Sequence, residues 1–104
     1  MTKIIYNKLI RDKIPEVIEK SGKSSKIRIL NKSEYPQALK DKLLEEVNEF
    51  IGDDTVEELA DIAEVLLAIL KQRNISLDEF EAIRLKKQDK LGGFDKCFLL
   101  IETE

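Results

Sequence analysis

The sequence has 104 residues, 38% of them charged and 42% apolar, with a formal net charge of −3. That is the mixture of a globular chain and the length of a single domain, residues 1–104, and a net negative balance argues against a nucleic-acid polymer as partner. There is no histidine and a single cysteine, Cys97, so imidazole catalysis, His-bound zinc, a disulfide framework and a CxxC site within the chain are all excluded.

If the chain does chemistry, carboxylates, lysines and arginines must carry it. A local group of cations would still suffice to bind one triphosphate. No apolar run approaches the ~18 residues of a membrane-spanning helix, and residues 1–6 are too weakly apolar for a secretory signal. The expected location is therefore cytoplasmic, with no membrane partner.

In chain order, Asp12 fits the N-cap of a short first helix, with Pro15 tolerated in its first turn and Gly22 just past its end. Ile14, Val17 and Ile18 give that helix an inner face. Lys26-Ile27-Arg28-Ile29-Leu30 alternates and is rich in β-formers, so a short strand is predicted over residues 26–30. The apolar run at residues 97–101 is the other strand candidate, and the two are expected to pair, with Cys97 buried as a small hydrophobe.

Three longer helices are predicted between these runs. The first spans about residue 33 or 36 to residue 51 and stops at Gly52. The next runs from about residue 55 to 73 and ends near Asn74. The last opens at Ser76 with Glu79 three residues on, a capping box flanked by Ile75 and Phe80 as a hydrophobic staple, and it ends at Gly92-Gly93. The predicted fold is mainly α, a bundle of one short and three long helices with a small two-stranded pairing. At 100° per residue, Val56, Leu59, Ala60, Ile62, Ala63, Val65, Leu66, Leu67, Ile69 and Leu70 cover roughly two-thirds of the third helix's wheel. Such a helix needs cover on several sides, so a homodimer or higher homo-oligomer is expected.

The most informative pattern is Glu46-Val47-Asn48-Glu49 followed by Glu58-Leu59-Ala60-Asp61. Each places two acids three residues apart, on nearly one side of a helix. The short connection makes the two helices an antiparallel hairpin. Glu49 is then level with Glu58 and Glu46 with Asp61, successive levels being about 4.5 Å apart. Glu46 sits at the edge of the inner face formed by Leu39, Leu43, Val47 and Phe50, and Glu58 falls inside the apolar arc of its own helix. Glu45, Glu57 and Glu64 point to the polar sides.

Two like charges ~4 Å apart repel by about 4 kcal/mol at an effective dielectric near 20. Such a group must hold protons or a divalent cation. An all-oxygen set suits magnesium, with manganese as the alternative. Thr55 and Glu58 also fit a capping box, and Glu49 a solvated flank, but the mirrored pairing of all four acids favours a metal.

At these residues the sequence resembles the MazG-like, all-α nucleotide pyrophosphohydrolase superfamily, whose signature is ExxE then ExxD on consecutive helices. The opening Tyr6-Asn7-Lys8-Leu9-Ile10-Arg11-Asp12-Lys13-Ile14-Pro15 and the closing Gly92-Gly93-Phe94 resemble its small phosphoribosyl-ATP pyrophosphohydrolase-like branch. The spacer of eight residues between Glu49 and Glu58 is shorter than in many MazG proteins.

The resemblance implies hydrolysis of a nucleoside triphosphate or related nucleotide between the α and β phosphates, giving a monophosphate and pyrophosphate. Glu46, Glu49, Glu58 and Asp61 would hold magnesium, and one of them would take the proton of the attacking water. Lys8 and Arg11, in the opening motif, are candidate phosphate ligands. So are Arg84 and Lys87, which share a helix face with Phe80, Ile83 and Leu91, although snorkelling stems also explain their position.

The alternative is a non-catalytic helical oligomerisation or nucleotide-sensing module, and a third reading is a phosphohydrolase that cuts a different bond. Retention of all four acids favours catalysis, since a pure dimeriser has no use for them. No base-reading motif separates phosphoribosyl-ATP, a histidine-biosynthesis substrate, from a non-standard nucleotide removed in housecleaning.

Overall fold

A computed structural model describes residues 2–104 of the chain. It contains α1 (Ile14–Lys20), α2 (Tyr35–Asp53), α3 (Val56–Gln72) and α4 (Leu77–Leu91), the expected one short and three long helices. None of them is long and apolar enough to cross a membrane.

Local chemistry sets the boundaries. α1 starts on Lys13 rather than Asp12, with Pro15 in its first turn. Asn31 accepts from the backbone N–H groups of Ser33 and Glu34 at 3.0 Å, turning the chain into α2. Gly52 does not end α2. The helix continues to Asp53, and Asp54 takes the left-handed conformation (φ 54°) and donates its N–H to the Phe50 carbonyl at 2.8 Å. A short acidic side chain tolerates that conformation better than most. Thr55 follows at once as the N-cap of α3, its hydroxyl accepting from the Glu58 N–H at 3.3 Å. With only Asp54 and Thr55 between them, α2 and α3 fold back as an antiparallel hairpin and form the main packed pair.

α3 ends as expected beside Asn74, which is also left-handed (φ 58°). Ser76 caps α4 by accepting from the Glu79 N–H at 3.1 Å. α4 ends at Gly92, whose φ of 85° a side chain would resist. It touches α3 only slightly.

The core lies between α2 and α3, where Leu39 and Val65 are the buried apolar side chains among the described residues. The radius of gyration is 18.3 Å, against about 13 Å for a compact chain of this length. The accessible surface is 10024 Å², against roughly 6,000 Å² for a compact protein of this mass.

The expected strand pairing is absent: residues 26–30 and 97–101 form no strand, and the described residues contain no sheet. Each run has a local reason. Arg28 makes a two-pronged bond to Glu34 at 2.9 and 3.0 Å, tying the first run to the start of α2 and holding the Glu34 carboxyl down to about 2. Cys97 has a left-handed φ of 56°, which breaks the second run at its first residue. A lone two-stranded ribbon is marginal in water and does not repay closing a loop of that length. Cys97 is accordingly exposed and free, not buried.

Candidate metal centre

The hairpin turns the inner sides of α2 and α3 toward each other, and three of the four expected acids meet there. Glu46, Glu58 and Asp61 each offer a carboxylate oxygen within 4.8 Å of the others. Glu46 is buried, only 7% exposed. One oxygen of Glu46 and one of Glu58 (Oε2 in each) are sealed from solvent with no hydrogen-bond partner. Unsatisfied buried carboxylate oxygens are costly, and a proton, a hydrogen-bond donor or a bound cation can satisfy them.

Glu49 is exposed and lies outside this trio, yet it remains in electrostatic contact with it. A shared hydrogen bond with Glu46, then partial loss of water, raises its carboxyl above the usual carboxylate range. The Glu58 carboxyl is also raised, first by loss of water and then by the charges of Glu49, Asp53 and Asp61. Asp53, at the last turn of α2, thus belongs to the same negative field, although it lies outside the ExxE and ExxD spacings. Glu57 and Glu64 are exposed, as the helix wheel requires.

A cationic wall faces the acids. Arg11 donates from Nη2 to Asp61 Oδ1 at 2.6 Å. Lys8 Nζ lies 2.5 Å from Glu45 Oε1. Lys42, one turn before Glu46 on α2, bridges Glu45 at 2.9 Å and Glu46 at 3.2 Å with its side chain only 14% exposed. Burial opposes the charge on Lys42, but its bonds to the two glutamates outweigh that and raise its pKa. Loss of water would likewise raise Glu45, yet the bonds from Lys8 and Lys42 hold it below the usual range. Lys8, Arg11 and Lys42, with Ile10 and Ile14, line a cavity of about 260 Å³ that opens beside Glu46 and Asp61.

The structure therefore brings Lys8 and Arg11 to the acids but not Arg84 or Lys87. Arg84 is engaged by Glu81 on its own helix, and neither residue lines the cavity. Arg84 and Lys87 share a face with Phe80, but both are exposed and α4 touches the hairpin only slightly, so the shared face does not bring them to the acids. Lys42 escaped the sequence reading, although its spacing of four residues from Glu46 was a usable signal.

No family model matches the chain, and no solved structure matches it. An uncharacterized protein of Mycolicibacterium smegmatis is 51% identical over 47 residues, a stretch covering 45% of this chain and 48% of that protein. The chain thus spans about half the length of the relative it matches.

Proposed function

We propose that the chain is a magnesium-dependent nucleotide pyrophosphohydrolase of the MazG-like kind, cutting the α–β phosphoanhydride of a nucleoside triphosphate or related nucleotide. The observation that carries the reading is the pair of buried, unpartnered oxygens of Glu46 and Glu58 beside Asp61. A structural charge cluster would be expected to pair those oxygens; a metal site leaves them free for the ion. The all-oxygen donor set fits magnesium or manganese, and Glu49, in electrostatic contact with Glu46, would be the fourth acid of the set.

The bound ion would supply Lewis-acid activation of a water and neutralise phosphate charge. The chain's own groups do the rest. Water oxygen bonds to the α-phosphorus as the bond from that phosphorus to the α–β bridging oxygen breaks. The water's proton passes to a carboxylate of the cluster. Glu49 is suited to accept it, being exposed and already raised by Glu46. Lys8 and Arg11 orient the departing pyrophosphate from the cavity wall.

We further propose a homo-oligomer. The surface in excess of a compact chain is on the order of 4,000 Å² per chain, more than the share of one partner in most obligate interfaces, and Leu59, Leu66 and Leu67 of α3 remain substantially exposed.

The test is pyrophosphate release across a nucleotide panel. The wild-type protein should release pyrophosphate with magnesium and none with a chelator, and Glu46→Gln should be inactive while folded. A folded wild-type protein inert toward every nucleotide would leave the oligomerisation or sensing module as the better reading.

A further inference from the structure

The geometry points to Lys42 as a phosphate-binding residue that is masked, together with Arg11, by the metal-free carboxylates, so that a divalent cation must bind before the nucleotide's phosphates can. This rests on the reading of Glu46, Glu58 and Asp61 as a metal site.

Three observations carry it. The cluster's oxygens divide into two sets: Glu46 Oε1 and Asp61 Oδ1 face cations, Lys42 at 3.2 Å and Arg11 at 2.6 Å, whereas Oε2 of Glu46 and of Glu58 has no partner. Two monovalent cations thus stand on the same acids that would grip one divalent ion. Second, Lys42 is too enclosed to be a solvated surface lysine, its side chain being 14% exposed. A buried ammonium needs anionic partners at all times. Third, Lys42 and Arg11 both line the cavity beside the acids, and Lys8 adds a further cation there.

When a divalent ion takes the carboxylates, its charge repels Lys42 and Arg11 from them. Arg11 then lacks its carboxylate partner and Lys42 keeps only Glu45, which it shares with Lys8, and a diphosphate group supplies the oxygens these cations need. Before the ion arrives, Lys42 and Arg11 are already satisfied and the carboxylates would repel phosphate. Binding is therefore ordered: the ion enters, the cations change partners, and the phosphates follow.

The test uses the whole chain with Mn2+ as the ion and inorganic pyrophosphate as the anion. Free Mn2+ is read by electron paramagnetic resonance without anion, and pyrophosphate binding by calorimetry on the Mn2+-loaded protein. Lys42→Met should tighten Mn2+ several-fold, because a competing cation is gone, and weaken pyrophosphate at least tenfold. Lys42→Arg should restore pyrophosphate binding. Arg11→Ala, in an exposed segment, should show the same opposed changes even if Lys42→Met folds poorly.

A merely structural Lys42 would tighten Mn2+ yet leave pyrophosphate binding as in the wild type, and that result overturns the inference. So does wild-type pyrophosphate binding that is equally tight without Mn2+. Failure of the wild-type protein to bind Mn2+ at all would instead overturn the metal-site reading beneath it.

Discussion

The α2–α3 hairpin and the stretch that follows Gly92 are both rich in apolar side chains, and they meet opposite fates. In the hairpin Leu39 is 2% and Val65 8% exposed, while in the C-terminal stretch Phe98 is 86% and Ile101 85% exposed. Composition does not separate them; reach does. Asp54 and Thr55 return α3 directly onto α2, so complementary faces meet with little loop-closure cost. Gly92 instead releases the chain from α4, and Leu99 and Leu100, adjacent in sequence, both remain uncovered. The hairpin accordingly brings Glu46, Glu58 and Asp61 together, whereas the C-terminal stretch stays exposed.

The widest contrast between the regions is in stability. Leu39→Ala should cost about 2–5 kcal/mol, read by urea denaturation and independent of protein concentration. Phe98→Ala should leave unfolding of the dilute protein unchanged and alter only the part that depends on concentration. Equal, concentration-independent losses for the two would erase the distinction.

Next comes the contrast within the hairpin, between inward and outward acids. Asp61→Asn preserves shape and should leave folding intact while turnover falls about 100-fold or more, the scale of losing a group that engages the reacting water. Glu57→Gln, on the exposed side of α3, should change turnover by less than about twofold, in keeping with the small effects of most surface changes. The opposite ranking would mean that the helices meet in a different register.

A smaller effect separates the regions by metal. Magnesium at a hundredfold excess over its dissociation constant should stabilise the fold by about 2.7 kcal/mol, a rise in melting temperature on the order of 10 °C. Phe98→Ala should keep the full rise and Glu58→Gln should blunt it.

The smallest effect is in pH. Glu49 and Glu58 are held above the ordinary carboxyl value of 4.5, so above about pH 4.5 these two groups bind more protons in the metal-free folded form than in the unfolded chain. Their contribution to stability falls as pH rises through that window, against the opposite contribution of Glu34, Glu45 and Glu81, whose carboxyls are lowered. Glu58→Gln removes one such contribution, so the stability of the metal-free protein should fall less, or rise more, with pH there, and an unchanged slope would contradict the raised value.

The hairpin was legible because everything that makes it is local. The ExxE and ExxD spacings fix which acids share a face, and a two-residue turn fixes which levels meet. The Ser76 cap of α4 was legible for the same reason. What escaped depended on contacts between distant segments. The β-rich composition of residues 26–30 and 97–101 says what they would do with a partner strand, not whether one is in reach. The wheel placed Arg84 and Lys87 on one face of α4 but could not say that α4 would touch the hairpin only slightly. Arg11 on Asp61 and Lys8 on Glu45 join the opening segment to the hairpin across many residues, and no periodicity within either segment specifies such a contact.

The most direct measurement is hydrolysis of a nucleoside triphosphate substrate in 18O-labelled water with magnesium, with the products separated and weighed by mass spectrometry. Attack at the α-phosphorus puts the label in the nucleoside monophosphate and leaves pyrophosphate unlabelled, and Glu46→Gln should abolish both products. Label in pyrophosphate or in released orthophosphate, or product formation undiminished in Glu46→Gln, would contradict a carboxylate-held metal acting at the α–β bond.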